Sequence, residues 1–226
     1  MDVVYICRAG LNNSIELRYS LRSIEKNFPH EKVFIIGEKP NWVTNVIHVK
    51  VIDRSKDVFY NTEHRVYKAT LQENLSEEFF VFHDDFIIKK PIKDFKRLHK
   101  RPLKETLKTR AKGTYWIALK KIEKIFPDGL DYELHYPYFF NKSNLKKLFI
   151  KYPLTTSHNI NSLYCNEFKV DSIKSQDCKV RNIENLKESL KKESLFLSTS
   201  DNLALDKAFE KTMNTIFPNK SKYEIK

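Results

Sequence analysis

The first half of the chain alternates between short apolar runs and longer segments in which apolar residues recur at helical spacing. The runs are rich in β-branched and aromatic residues, as is typical of buried strands. They cover residues 3–9, 32–38, 46–52 and 79–82. Strands separated by helices predict a mostly parallel, Rossmann-like sheet with helices on both faces, that is, a three-layer α/β fold.

Two helices are predicted between these strands. The first helix ends at Pro29. Three residues that precede this helix can serve as its N-cap: Asn12, Asn13 and Ser14. Arg18 and Arg22 lie off its apolar face, which is formed by Leu17, Leu21, Ile24 and Phe28. Thr62 can cap the second helix, which we expect to run to about Asn74.

The chain after residue 88 is predicted to be mainly helical. Helices are expected over 115–126, near 142–151 and near 157–167. Asp201 is expected to cap a last helix over about 203–217. We expect one domain that consists of three consecutive parts: an α/β half (1–88), a basic segment (89–112) and a helical half (113–226).

The composition is that of a folded protein, with 41% hydrophobic and 13% aromatic residues. No apolar run reaches the roughly 18–20 residues that a membrane span needs, and the N-terminus lacks a signal-peptide layout. The three cysteines have no paired spacing, and no glycine-rich phosphate loop occurs. We therefore expect a cytoplasmic protein without a disulfide framework or a cysteine zinc site, and nothing indicates an obligate protein partner.

Two adjacent carboxylates, Asp84 and Asp85, follow the apolar run 79–82. In an open α/β sheet, ligands bind at the carboxyl ends of the strands. Two like charges there repel each other unless a cation or a proton relieves them. Mg²⁺ or Mn²⁺ suits such a pair, because these ions take one or two protein carboxylates together with waters and substrate phosphates. The alternative is a solvated turn that begins with the two aspartates.

Several sequence blocks occur in a characteristic order. They are IELRYSLRSIEKN (15–27), LSEEFFVFHDDFII (75–88), YELHYPYFFNKSNL (132–145), NSLYCN (161–166), FLSTSD (196–201) and FPNKSKYE (217–224). These blocks resemble the Stealth family of nucleotide-sugar-dependent transferases and related phage and bacterial glycosyltransferase-like proteins. Two positions depart from the family pattern: Arg8 replaces the acidic residue of a VDG block, and Cys165 replaces a glycine.

The resemblance implies a GT-A-like nucleotide-sugar fold in which Asp84 and Asp85 hold a divalent metal against the donor diphosphate. It implies a metal-dependent glycosyltransferase, with a uridine-based donor by analogy. Residues 1–88 would then bind the nucleotide sugar, and residues 113–226 would form the acceptor side. Two alternatives stay open: a sugar-phosphate transferase that acts on a surface or wall glycan, and a non-catalytic, basic nucleic-acid-binding protein on a transferase scaffold.

Further candidate residues follow from this reading. In a GT-A-like site a late-chain histidine can supply the third metal ligand, so His135 is a candidate Mn²⁺ ligand. Alternation along an extended segment puts Glu133 and His135 on one side, so Glu133 can instead be a general base that His135 orients. The alternatives are a structural acceptor and a core histidine. Three arginines can contact the diphosphate, because guanidinium matches phosphate oxygens: Arg8, Arg18 and Arg22. Asn61 can contact the donor base or cap a helix.

Positive charge is concentrated in the basic segment 89–112. It holds eleven lysines and arginines against two acidic residues, a net charge of +9 out of +12 for the whole chain. Such a run is either a solvated face or a surface for a polyanionic acceptor, with nucleic acid favoured, a phosphate-bearing wall polymer second, and hydroxylated bases in DNA as the leading example. The candidate acceptor contacts are Lys96, Arg97, Lys100 and Arg101.

Overall fold

The structure, a computed structural model, describes residues 1–10, 14–154 and 157–225. Within these residues the strands are β1 (Asp2–Cys7), β2 (Val33–Gly37), β3 (Ile47–Val49), β4 (Glu78–Phe82), β5 (Phe86–Ile88), β6 (Leu98–His99), β7 (Arg101–Pro102), β8 (Leu130–Asp131), β9 (Tyr138–Asn141), β10 (Ile173–Lys174), β11 (Lys179–Val180) and β12 (Phe196–Thr199). The helices of the same residues are α1 (Ile15–Asn27), α2 (Val58–Thr70), α3 (Leu103–Thr109), α4 (Thr114–Ile125), α5 (Lys142–Lys151), α6 (Ile160–Glu167), α7 (Ile183–Lys191), α8 (Asp201–Ala204) and α9 (Lys207–Ile216).

The central sheet has five strands in the order β3-β2-β1-β4-β9. The first four are parallel, and β9 is antiparallel to β4. The chain adds β2 and β3 on one side of β1 and then crosses over to place β4 on the other side. The strand order therefore reverses between β1 and β4, which is where open α/β sheets bind their ligands. The predicted parallel α/β sheet is confirmed.

The two faces of the sheet bury different helices. Successive side chains of β1 alternate between the faces. Val4 and Ile6 lie in the core that is shared with α2 to α6, whereas Tyr5 and Cys7 lie in the core that is shared with α1. The sheet thus forms the middle layer of a mixed α/β fold.

Helix α1 is buried on more than one face. Its predicted apolar residues pack on the sheet, and Tyr19 packs on the opposite side against Phe209 and other residues of the C-terminal segment. The amphipathic pattern alone did not predict this second contact, because the residues that supply it lie nearly 200 positions later. As a result, polar residues off the apolar face are also buried, among them Glu16 and Arg22.

A second, three-stranded sheet has the order β11-β12-β5. Ser198 pairs with Phe86, directly after the two aspartates, and the Thr199 amide donates to the Asp85 carbonyl at 3.3 Å. This small sheet therefore brings the late chain to the end of β4. Neither β12 nor α7 was predicted from the sequence.

Two predicted helix caps are wrong. Helix α2 begins at Val58, because the Asp57 side chain accepts from the amide of Phe59 at 2.9 Å, so Thr62 lies inside the helix. The predicted last helix is split into α8 and α9, and Ser200, not Asp201, caps α8. Helix α1 is capped by Ser14, as expected. The other two predicted caps, Asn12 and Asn13, lie outside the described residues.

The basic segment 89–112 folds into short pieces: β6, β7 and α3. Its lone phenylalanine, Phe95, packs edge-on against Phe80 of β4, with the ring centroids 4.7 Å apart. Across the described part of the chain, the helices are too short or too polar to cross a membrane.

Candidate functional site

A cleft of about 360 Å³ opens at the carboxyl ends of β1 and β4, where the strand order reverses. Five of the residues predicted from the sequence line it: Arg8, Asn61, Asp84, Asp85 and Glu133. They come from the ends of two strands, from α2 and from the irregular segment before β9. Their convergence is a property of the topology, since they are spread over 126 positions.

The two aspartates have different surroundings. Asp84 is buried, and burial, followed by the charge of Asp85, raises its pKa to about 6. Asp85 Oδ2 accepts hydrogen bonds from Lys179 Nζ at 3.1 Å and from Ser198 Oγ at 2.5 Å. These two hydrogen bonds orient the Asp85 carboxylate, whereas Asp84 keeps an electrostatic cost that a cation would relieve.

Two more carboxyl groups lie close to the pair. Glu16 in the first turn of α1 accepts from Thr199 Oγ1 at 2.5 Å, and burial, with the charges of the nearby aspartates, raises its pKa to about 8. Asp201 accepts from the Arg8 guanidinium at 2.7 Å, and both side chains are more than half exposed. The hydrogen bond to Asp201 raises the pKa of Arg8. Four carboxyl groups, those of Glu16, Asp84, Asp85 and Asp201, are thus brought close together beyond the end of β4.

Glu133 is a mostly buried carboxyl group in the cleft wall. Asn159 Nδ2 donates a hydrogen bond to Glu133 Oε2, and the Tyr138 hydroxyl lies 3.4 Å from the same oxygen. Burial raises the pKa of Glu133 to about 7. Asn159 is itself fixed, because its Oδ1 caps α6 by accepting from the Ser162 amide. This is a carboxylate that can exchange a proton near neutral pH.

His135 is not among the residues that line the cleft with Glu133, and its predicted role as a third metal ligand stays a prediction. Two successive three-residue turns interrupt the extended segment: the Leu134 amide donates to the Tyr132 carbonyl, and the Tyr136 amide donates to the Leu134 carbonyl, both at 3.0 Å. The His135 ring is bonded through Nδ1 to Asp177 at 2.8 Å and does not line the cleft.

Arg18 and Arg22 are engaged elsewhere. The Arg22 guanidinium is buried and bonded to Glu224, with Nε 2.7 Å from Oε1, and it also donates to the Phe217 carbonyl at 2.9 Å. Arg18 lies over the Trp42 ring and 3.4 Å from Glu224. Both fasten the C-terminal segment to α1, and the structure does not bring them to the cleft.

Asn61 lines the cleft, but its side-chain amide is hydrogen-bonded to the segment before α2. Its Oδ1 accepts from the amides of Arg54 and Ser55 at 3.2 Å, and its Nδ2 donates to the Ser55 carbonyl at 2.7 Å. The side chain therefore orders the loop that carries Asp53.

Several cleft residues escaped the sequence analysis, among them Arg65, His83 and Lys179. Arg65 is buried and bonded to Asp53, and its Nε–H has no hydrogen-bond partner among the residues that the structure describes. Burial lowers the pKa of His83 to about 4, so this imidazole is neutral. A helical register could have pointed to Arg65, which follows Asn61 by four positions. No local signal marks Lys179.

The four basic residues proposed for acceptor binding do not line the cleft. Strand β5 leaves Asp85 and runs back beside α1: Asn27, the last residue of α1, donates to the Ile88 carbonyl at 2.7 Å. The segment that follows is thus carried away from the aspartates. Arg97 instead packs on the Phe139 ring at 4.7 Å, and the Lys100 amide donates to the Asp131 carbonyl. A nucleic-acid acceptor finds no support in this placement.

In residues 1–10, 14–154 and 157–225, no three His, Cys, Asp or Glu side chains are arranged to hold a metal ion. Two adjacent carboxylates nevertheless fit Mg²⁺ or Mn²⁺, because such ions use few protein ligands and complete their shell with water and phosphate oxygens. The raised pKa of Asp84 is in keeping with a position that favours added positive charge.

The fold is that of GT-A-type glycosyltransferases. It is similar over 98% of both chains to the galactosyltransferase LgtC in complex with donor and acceptor sugar analogues, with a TM-score of 0.56 and 8% identity. An active-site mutant of LgtC gives a TM-score of 0.55 with the same coverage and identity. At this level of identity, the similarity concerns the fold.

One sequence relative is a capsular polysaccharide phosphotransferase, fcs1, of Haemophilus influenzae. The two sequences are 28% identical over 126 residues, which cover 50% of this chain and 32% of that protein. The chain thus spans about a third of the length of this curated relative. No protein-family profile matches the sequence.

Proposed function

We propose that this protein transfers a sugar from a nucleotide-sugar donor to an anionic acceptor. The observation that carries the proposal is the position of Asp84 and Asp85 at the end of β4, in the cleft where a GT-A-type sheet reverses its strand order. Three cations line the same cleft and can pair with a donor diphosphate: Arg8, Arg65 and Lys179. A uridine nucleotide is the donor by analogy with the proteins that the sequence resembles.

A divalent cation, Mn²⁺ or Mg²⁺, is part of the proposal. Asp84 and Asp85 would hold it, and it would neutralise the charge that the nucleoside diphosphate gains on leaving. Lys179, which orients Asp85, can share that task from the protein side. His135 contacts Asp177 through Nδ1, so Nε2 is the ring nitrogen that would bind the metal, and its role as a third ligand remains a prediction.

Glu133 is the proposed general base. A carboxylate with a pKa of about 7 can take the proton of an acceptor hydroxyl at neutral pH and still return it to solvent. Asn159 holds the carboxylate through one oxygen, and Tyr138 approaches the same carboxylate. The base is thereby fixed in the wall of the cleft that contains the aspartates.

A second candidate function is transfer of the sugar together with its phosphate. The observation that favours it is the similarity to a capsular polysaccharide phosphotransferase over half of this chain. The same cleft would serve, but the acceptor would attack phosphorus, and a nucleoside monophosphate would leave.

The first experiment is a donor screen by thermal unfolding with uridine diphosphate sugars and guanosine diphosphate sugars, each with and without Mn²⁺. A donor at a hundredfold its Kd should stabilise the protein by about 2.7 kcal/mol, and only in the presence of metal. A donor labelled in its β-phosphate then separates the two reactions. Sugar transfer leaves the label in the nucleoside diphosphate, whereas sugar-phosphate transfer moves it to the acceptor. No stabilisation by any donor would contradict both.

A further inference from the structure

A second groove, of about 260 Å³, lies next to the cleft and is mostly apolar. Three aromatic rings form its floor: the centroid of Phe196 lies 5.9 Å from that of Tyr136 and 6.2 Å from that of Phe95. The Tyr136 hydroxyl donates to the Leu98 carbonyl, so its polar atom is satisfied within the protein. Ile173 lies at the rim with half of its surface exposed. An apolar guest would find hydrophobic contacts on several sides.

The groove and the cleft share two chain segments. In the first segment, Glu133 lines the cleft and Tyr136 lines the groove, so their Cα atoms are at most about 11 Å apart. In the second segment, Lys179 lines the cleft and Cys178 lines the groove. His135, which lies between Glu133 and Tyr136 in the sequence, pairs with Asp177, which directly precedes Cys178, and both side chains are about one-third exposed. A molecule that lies across this pair can occupy both sites.

The rim of the groove carries positive charge. Lys96 lines the groove with its side chain 65% exposed, and the neighbouring Asp94 carboxylate is 4.0 Å from its ammonium group. Two more exposed lysines, Lys93 and Lys174, adjoin lining residues in the sequence. The groove also begins within the segment of net charge +9. A guest with a negative group would be attracted, whereas a neutral one would leave these charges unused.

We propose that this groove is the acceptor subsite and that it takes the apolar chain of an amphiphile with an anionic head. The chain would lie on the aromatic floor, the phosphate-like group would pair with the lysines at the rim, and the hydroxyl end would extend over the His135–Asp177 pair into the cleft. The acceptor role rests on the proposed transferase function, but binding of the amphiphile does not. Of the four acceptor contacts predicted from the sequence, this arrangement uses Lys96.

The test uses hexyl, octyl and decyl phosphate as probes, below their micellar concentrations, with Kd measured by calorimetry on the full chain. Each added methylene should tighten binding by roughly fourfold until the groove is filled. Octyl glucoside, which has the same chain and a neutral head, should bind at least about threefold more weakly at low salt, and the difference should shrink at high salt.

Matched variants locate the site. Ile173→Asp should weaken octyl phosphate about tenfold, because it removes apolar contact and adds a repelling charge. Lys96→Glu should weaken it about threefold or more at low salt. The controls are Ile150→Asp on α5 and Lys187→Glu on α7, both at exposed positions away from the groove, and they should bind like the parent. The thermal unfolding curve of each variant, measured without any ligand, reports whether the fold is intact.

Three results would overturn the proposal. Binding that the groove variants leave unchanged would place the amphiphile elsewhere. Equal affinity for octyl phosphate and octyl glucoside would show that the anionic head does not contribute to binding. Anionic vesicles bound through Lys96 without any binding of monomeric octyl phosphate would make the segment a membrane contact.

A failed donor screen with octyl phosphate binding intact would reject the transferase function alone and leave a lipid-binding groove, so the two failures are distinguishable.

Discussion

Glu133→Gln should have opposite effects on activity and on stability. The substitution preserves the size of the side chain and an oxygen that can accept from Asn159. It removes the group that is proposed to take the acceptor proton, so turnover should fall by about 10²–10⁴-fold while donor affinity stays nearly unchanged. At the same time it removes an ionisable group that the fold disfavours in its charged form.

The stability change follows from the pKa of Glu133. The pKa is about 7 in the folded protein and 4.5 for the unperturbed group, so the unfolded state ionises first as the pH rises. The contribution of Glu133 to the free energy of unfolding is therefore fully present below pH 4.5 and is lost as the pH rises towards 7. The difference between the two pKa values corresponds to at most about 3 kcal/mol of free energy of unfolding. We expect a loss of about 2 kcal/mol, because the carboxylate keeps some contact with water. Glu133→Gln should recover this amount at pH 8 and almost nothing at pH 4.

The assay is denaturant unfolding of parent and variant at pH 4, 6 and 8, combined with donor turnover at pH 8. Glu188→Gln on α7, an exposed position, is the matched control and should change neither quantity. A stability difference between Glu133→Gln and the parent that does not grow with pH would refute the raised pKa. Normal turnover with the expected stability gain would make Glu133 a structural carboxylate and return the role of base to another group.

Three further predictions concern the same cleft. Asp84→Asn and Asp85→Asn should each weaken Mn²⁺-dependent donor binding and lower turnover, and Asp84→Asn should stabilise the metal-free protein, because it relieves like-charge repulsion; full activity in excess chelator would contradict this. Lys179→Met should weaken donor binding by about tenfold, measured against Lys187→Met as control, because a cation beside the diphosphate is lost. Glu16→Gln should stabilise the protein increasingly from pH 4.5 towards pH 8, since burial holds the pKa of Glu16 at about 8; melting curves with the parental pH dependence would show otherwise.

The strands and helices whose residues follow a local sequence pattern were predictable from the sequence. Strands β1 to β4 are short apolar runs between turn signals, and the residues that pack α1 on the sheet recur at helical spacing. Helix caps were less predictable, because Asp57 and Thr62 are both acceptable cap residues in the sequence and the structure uses Asp57. Strand β12 could not be recognised, since FLST is short and its pairing partner β5 lies over a hundred positions earlier.

The candidate site divides in the same way. Asp84 and Asp85 follow the end of β4, so the rule that ligands bind at the carboxyl ends of strands pointed to them, whereas Arg8 was selected because guanidinium matches phosphate oxygens. Lys179 reaches Asp85 across 94 positions, and nothing around Lys179 in the sequence distinguishes it from the other lysines of a basic protein. The opposite error arose at Arg22, where an arginine off an apolar face was taken as available although Glu224 holds it in the interior.

The balance of charge in the cleft argues that metal and donor bind together. Burial and the charge of Asp85 raise the pKa of Asp84 to about 6, so a bare metal ion competes with a proton for this ligand as the pH falls towards 6. A diphosphate alone would meet Asp85 and Asp201 as well as the cations Arg8 and Lys179. A metal–diphosphate complex satisfies both sets, since the ion faces the carboxylates and the phosphates face the cations. Each ligand should therefore tighten the binding of the other by the same factor, and that reciprocity can be measured in either direction.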